Sequence, residues 1–175
     1  MALRKIVTLP DPVLRRKAHV VTTFDKNLQT LIDDMVETMR DAPGVGLAAT
    51  QIGLSDRLIV VEYYEKEEDE NEENDDAPKK VWAVLNPEIV KVSEEMVMGV
   101  EGCLSIPGLL GEVERHAEIH VKGLNRHGKP MKIKAKGWLA RIFQHEIDHL
   151  NGVLFPDLAT RVWQPQQAVE EEQEV

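Results

Sequence analysis

G-W-L-A-R-I-F-Q-H-E-I-D-H-L, residues 137–150, carries two patterns at once. Leu139, Ile142, Phe143, Ile147 and Leu150 recur at the spacing that lines one side of a helix, so the segment reads as a buried amphipathic helix from about Gly137 to Leu150. His145 and His149 are four residues apart, which makes them neighbours on the same helix surface, with Glu146 beside them. Two imidazoles on one face can share a divalent ion while an adjacent carboxylate handles protons, so H-E-x-x-H points to metal-assisted hydrolysis. The plain alternative is a histidine pair on a solvated face. A third ligand and a substrate site must come from elsewhere in the chain.

Working outward, Gly152 is a natural stop after the helix. Upstream, 116–124 and 130–136 alternate around Asn125-Arg126-His127-Gly128-Lys129, the pattern of a hairpin. Leu58-Ile59-Val60-Val61 and Val81-Trp82-Ala83-Val84-Leu85 are strand-like; Pro87 should end the second, and 88–98 alternate loosely enough for another strand. Leu28, Leu31, Ile32, Met35, Val36 and Met39 give a second helix from Asp25, a plausible cap, to about Asp41, stopped by Pro43 and Gly44. Asp11-Pro12-Val13-Leu14-Arg15 reads as a cap and one short helical turn. A glycine-rich turn occupies 44–51. The expected fold class is therefore α+β: small antiparallel or mixed β-sheets packed around a central helix that carries H-E-x-x-H.

The chain's 175 residues suit one domain with an ordinary hydrophobic content of 42%. The net charge of −10 is unevenly placed. Residues 62–76 hold ten acids and one lysine, and residues 170–174 add four more acids, which leaves the remainder at +3. The expected organisation is a catalytic domain over 1–163, interrupted by an acidic loop at 65–78, and a polar acidic tail at 164–175. No basic stripe of the kind nucleic-acid binding requires is present, so no direct nucleic-acid binding is expected. No apolar run approaches the ~20 residues of a membrane span, and the start offers no apolar stretch long enough for a secretory signal. A cytoplasmic protein is expected, with no membrane partner. A single cysteine, Cys103, excludes an internal disulfide.

That cysteine is the strongest candidate for the third ligand. Many H-E-x-x-H proteases take a downstream Glu or His, but downstream here are only Asp157 and the glutamates of the tail. Cys103 sits in G-V-E-G-C-L-S-I-P (99–107), where Gly102 permits a sharp turn and Pro107 stiffens the exit. A lone cysteine is most often a small buried hydrophobe. Paired with H-E-x-x-H it would complete two imidazoles and a thiolate, leaving one coordination position for water. Gly44-x-Gly46-x-x-Ala49 imitates a dinucleotide fingerprint but follows a helix instead of a strand. Glu101 and Arg115 can pair behind the site or lie in water, and Asp148 can orient a neighbour or meet a surface base. His116 and His120 are read as sharing one strand face with Glu118, apart from the site.

Three segments, G-V-G-L-A-A-T-Q (44–51), E-G-C-L-S (101–105) and Q-H-E-I-D-H (144–149), closely resemble the three signature motifs of bacterial-type peptide deformylases, in the same order and at similar spacing. The resemblance spans residues 3 to 160 and includes I-V-T-L-P-D-P-V-L near the start and N-G-V-L-F after the helix. It implies a metallohydrolase that removes the N-terminal formyl group from formylmethionine of new proteins and releases formate. It implies that Cys103, His145 and His149 hold Fe²⁺, with Zn²⁺, Ni²⁺ or Co²⁺ able to substitute. It further implies Glu146 as general base and acid, with the Gln51 side chain and the Leu104 backbone N–H as oxyanion donors. Val45 and Gly102 would pair with the substrate backbone, Gly46 would lie against the formyl group, and Val45, Trp138, Arg141 and Ile142 would surround the methionine side chain. Trp138 and Arg141 depart from the aliphatic residues familiar there. Partners implied are N-formylmethionyl nascent peptides, with a transient ribosome contact that the acidic tail puts in doubt. Two rival readings are an H-E-x-x-H peptidase with a carboxylate ligand and a metal-binding regulator without turnover.

Overall fold

The computed structural model describes residues 2–64 and 78–165, so most of the acidic loop expected at 65–78 and of the tail expected at 164–175 lies outside the described residues. Strands β1 (Gly46–Ala48), β2 (Leu58–Tyr64), β3 (Lys79–Val92), β6 (Glu118–Leu124) and β7 (Pro130–Lys136) form a five-stranded sheet in the order β1-β2-β3-β6-β7. Strands β4 (Met96–Cys103), β5 (Ile106–His116) and β8 (Arg161–Trp163) form a second sheet in the order β4-β5-β8. Every ladder in both sheets is antiparallel. Helices α1 (Lys26–Asp41), α2 (Gly137–Leu150) and the single turn α3 (Phe155–Leu158) complete the α+β architecture.

The apolar run Leu58–Val61 shows why two helices are needed. Its side chains alternate between the sheet's faces, and all four are buried. Ile59 and Val61, with Trp82, Val84, Ile119 and Val121, pack against Leu139, Ile142, Phe143, Ile147 and Leu150 of α2. Leu58, Val60 and Leu85 pack against Leu28, Ile32, Met35 and Met39 of α1. The expected helix over 26–41 forms as read, with the Asp25 carboxylate accepting the Leu28 N–H at 2.9 Å.

The expected stop at Pro87 does not occur. β3 continues through it to Val92, because Pro87 sits where the pairing with β6 slips between Leu85 and Glu88, and a bulge makes no demand on its missing N–H. Asn86 takes a left-handed φ of 52°, and its side-chain amide clasps the backbone of Val21 at 2.8 and 2.9 Å. The expected turn at 44–51 is a short edge strand followed by a 3₁₀ turn over Ala49–Ile52. His116 and His120 do not share a strand: His116 closes β5 and His120 lies within β6.

Helix α2 stands between the sheets. Its Gln144 side chain behaves like a strand partner for the end of β5. It accepts the His116 N–H at 3.0 Å and donates to the His116 carbonyl at 2.9 Å. At the other end, Arg57 donates to the carbonyl of Leu150 at 3.0 Å, so a guanidinium meets the helix terminus that favours positive charge.

Candidate metal centre and its pocket

Cys103 is the last residue of β4, and a two-residue turn, Leu104-Ser105, leads into β5 at Ile106. The register slips between Gly102 and Cys103, turning the thiol toward α2. There it meets the helix's two histidines. The donor atoms of Cys103, His145 and His149 all lie within 4.8 Å of one another, and Cys103 Sγ is 3.3 Å from His149 Nε2. Separations of this size suit donors that share one ion at bond lengths of about 2.0–2.3 Å. The set of one sulfur and two imidazole nitrogens fits a borderline divalent metal and leaves room for a fourth partner.

The surroundings fix each donor. His145 Nδ1 lies 2.8 Å from Glu101 Oε1, so a ring that gives its Nδ1 proton to Glu101 keeps the lone pair on Nε2. Glu101 is buried and receives Arg115 Nε at 2.9 Å, Arg115 Nη2 at 2.8 Å and Arg141 Nη1 at 2.7 Å. Burial by itself would push its carboxyl up. The cationic partners outweigh burial and hold it well below the usual carboxylate range. For His145, burial pulls the pKa down, while bonding to Cys103 and Glu101 raises it to about 10. His149, buried and near positive charge, is lowered well below its ordinary value and is neutral, the form in which imidazole is a ligand. Phe155 from α3 stacks on His145 with ring centres 6.3 Å apart and planes 22° apart.

Glu146 is almost fully buried, and its Oε2 has no hydrogen-bond partner among the described residues. Burial pushes its pKa up to about 7, where a carboxyl group can both take and give a proton. Gly46 makes its placement possible. A Cβ on Gly46 would stand 2.8 Å from both Cγ and Oε1 of Glu146, so only glycine lets the strand pass this close. Gln51 lies in the 3₁₀ turn with its Oε1 accepting the Ala48 N–H at 3.0 Å. Its Nε2 is thereby aimed at the site, 3.3 Å from Ser105 Oγ and 3.6 Å from Cys103 Sγ.

These groups share a pocket of about 430 Å³. Val45, Gly46, Gln51, Gly102, Cys103, Leu104, Trp138, Arg141, Ile142, His145 and Glu146 all border it; His149 is buried behind. The pocket lies between the outer strands β1 and β4, each of which has a strand partner on one side only among the described residues. Sequence reading did not foresee the wall built by Val100, Ile106, Leu109 and Leu110. The apolar pair Leu109-Leu110 was the available signal. Arg141 borders the pocket, but its guanidinium is engaged by Glu101, the Val113 carbonyl at 2.9 Å and the Val97 carbonyl at 2.7 Å. Trp138, about half exposed, lies 5.5 Å from that guanidinium. The Glu101–Arg115 pair is buried and not in water, and Asp148 turns inward to Arg115 at 2.5 Å. Asp157 accepts from Arg15 at 2.5 Å and from the Leu154 N–H, so it is committed away from the metal ligands.

Residues 3–164 match the family model described as polypeptide deformylase. The chain belongs to the polypeptide deformylase family. A peptide deformylase of Symbiobacterium thermophilum is 48% identical over 174 residues, covering 99% of this chain and 75% of that protein. One from Natranaerobius thermophilus is 46% identical over 168 residues, covering 96% and 99%. Among solved structures, a peptide deformylase from Legionella pneumophila shares 44% identity with a TM-score of 0.78, covering 98% of this chain and 92% of that one. The Ehrlichia chaffeensis peptide deformylase in complex with actinonin superposes with a TM-score of 0.81 at 39% identity, covering 99% and 98%. The deformylase fold is thus shared across nearly the whole chain. No helix among the described residues is long and apolar enough to cross a membrane.

Proposed function

We propose that this deformylase removes the N-terminal formyl group from formylmethionine of newly made proteins and releases formate, using a divalent ion held by Cys103, His145 and His149. The observation that carries this reading is the cluster of those three donors beside a small pocket that the Glu146 carboxyl and the Gln51 amide border. A bound ion supplies Lewis acidity, which brings water toward neutral pKa and polarises the formyl carbonyl. The protein's own groups do the rest. Glu146 takes a proton from the attacking water and later delivers one to the departing amine. Gln51 Nε2 and the Leu104 backbone N–H donate to the oxygen that becomes negative in the tetrahedral intermediate. The backbones of Val45 and Gly102, on the outer strands β1 and β4, receive the substrate as an added strand, and Gly46 lies against the formyl group. Ile142, Trp138 and the aliphatic stem of Arg141 line the space for the methionine side chain.

Resemblance to the family implies Fe²⁺, with Zn²⁺, Ni²⁺ or Co²⁺ as substitutes; a thiolate and two imidazoles accept Fe²⁺ and Zn²⁺ alike. Residues 1–163 act as one catalytic unit followed by the acidic tail. Its substrates are cytoplasmic nascent chains met transiently at the ribosome. Anaerobic purification with metal analysis, followed by formate release from formyl-Met-Ala-Ser with the Fe²⁺ and Zn²⁺ forms, tests the reading. Stoichiometric metal without formate release would instead support the regulator alternative. A carboxylate-ligand peptidase would keep both metal and activity in Cys103→Ser.

A further inference from the structure

We propose that Arg141, seated in the space left by Gly99, is a positioning residue that acts on the metal centre through Glu101 and His145. The proposal rests on the ligand assignment above.

The chain of contact is short and buried. Glu101 has two carboxylate oxygens, and each accepts two bonds. Oε1 takes Arg115 Nη2 at 2.8 Å and the His145 ring at 2.8 Å. Oε2 takes Arg115 Nε at 2.9 Å and Arg141 Nη1 at 2.7 Å. Arg115 grips both oxygens from one side in a single fork and is itself held by Asp148 through Nη1. Arg141 comes from a different element and closes the second side. The same Nη1 also donates to the Val113 carbonyl of β5, and Nη2 donates to the Val97 carbonyl of β4. Glu101 is therefore fixed in rotation, and with it the plane of the His145 imidazole.

Gly99 is what permits the arrangement. A Cβ there would stand 2.7 Å from Arg141 Cζ, 2.8 Å from Nη2 and 2.9 Å from Nε. All three belong to the guanidinium group, which its hydrogen bonds hold still, so the clash is not relieved by a small side-chain shift. Position 99 and position 141 thus form one unit. A side chain at 99 demands that the guanidinium leave Glu101, and an apolar residue at 141 opens the space that a side chain at 99 would fill. Arg141 lines the substrate pocket with three of its N–H donors given to protein oxygens, two from Nη1 and one from Nη2.

Loss of a residue that orients a metal-bound histidine typically lowers metal affinity by about 10–100-fold. The test uses Co²⁺ as the probe, measuring its affinity by competition against a chelator and its visible spectrum in the substituted protein. Arg141→Leu and Gly99→Val are each expected to weaken Co²⁺ binding within that range and to change the spectrum, with kcat falling more than KM rises. Arg141→Lys, which keeps a cation near Glu101, is expected to bind Co²⁺ more tightly than Arg141→Leu. The double variant Gly99→Val/Arg141→Leu should bind no worse than the weaker single variant, because both changes break the same contact, and it should melt higher than Gly99→Val. Unchanged Co²⁺ affinity in Arg141→Leu or Gly99→Val, with only a lowered melting temperature, would overturn the proposal, as would strictly additive losses in the double variant. Failure of the underlying ligand assignment looks different: the unsubstituted protein itself would then bind no stoichiometric Co²⁺.

Discussion

Helix α2 has two faces that obey opposite rules. Toward the five-stranded sheet it is dry and apolar, with Phe143 edge-on to Trp82 at 5.7 Å and Leu150 fully buried. Toward the three-stranded sheet it carries His145 and Asp148, partly buried, and His149 and Arg141, buried, against Cys103, Glu101 and Arg115, with Glu146 buried beside Gly46 of β1. The first face gains by excluding water from hydrocarbon. The second keeps charge out of water and must therefore pair nearly every group. Apart from Glu37 Oε2 and Thr50 Oγ1 elsewhere, the buried side-chain atoms without partners among the described residues are Glu146 Oε2 and His149 Nδ1 on this face. They sit where chemistry is expected, which separates a face built for stability from one built for function.

The largest expected effect breaks the charged face at the thiol that β4 contributes. Cys103→Ser should lose bound metal and formate release together, read by metal analysis and the formyl-Met-Ala-Ser assay. Next, Glu146→Ala should keep its metal but lose about 10²–10⁴ in kcat, the usual size of a general acid–base contribution. Full activity in that variant would sink the mechanism. Gln51→Ala should cost about 10²–10³ in kcat with metal content unchanged, as for a lost oxyanion donor.

The dry face responds in a different currency. Phe143→Ala should cost about 3–5 kcal/mol of stability, measured by urea unfolding, while the residual folded protein still binds metal. Loss of metal affinity at full stability would show that the two faces are not separable.

The smallest effect concerns the metal-free chain and pH. Burial lifts the Glu146 carboxyl from 4.5 to about 7. Between those values the folded form holds a proton that the unfolded form has released, so this group's contribution to stability is present below pH ~4.5 and fades as pH rises through ~7. Comparison of metal-free wild type with Glu146→Gln over that window isolates the term. The difference in unfolding free energy between the two should change with pH in the direction of wild type losing ground; a constant difference would rule it out.

Much of this was legible in the chain because it is local. The 3.6-residue period of 137–150 gave the helix, its buried stripe and the shared direction of His145 and His149 in one reading. The apolar, largely β-branched run Leu58–Val61 and the alternation of 130–136 gave strands for the same reason: each pattern needs only near neighbours. Cys103 became a ligand candidate by elimination and by its glycine and proline frame. The persistence of β3 through Pro87 was not legible, because it depends on where β6 places its register slip. Nor was the second sheet's full extent, since β5 is recognisable as a strand mainly from its pairing with β4.

The sequence by itself determined the two long helices and the central strands, the family and the residue types of the site. Helical and strand periodicities are intrinsic to the chain, and three spaced motifs are specific enough to name a lineage. Only the tertiary structure decided what surrounds those residues. Arg141, charged and near the motif, reads equally as a pocket wall or a surface group. Its role emerges because β4 passes by at Gly99 without a side chain and brings Glu101 within 2.7 Å. Burial, pairing and the pKa of Glu146 arise from contacts across many residues of chain, and such contacts exist only once the two sheets have closed on the helix.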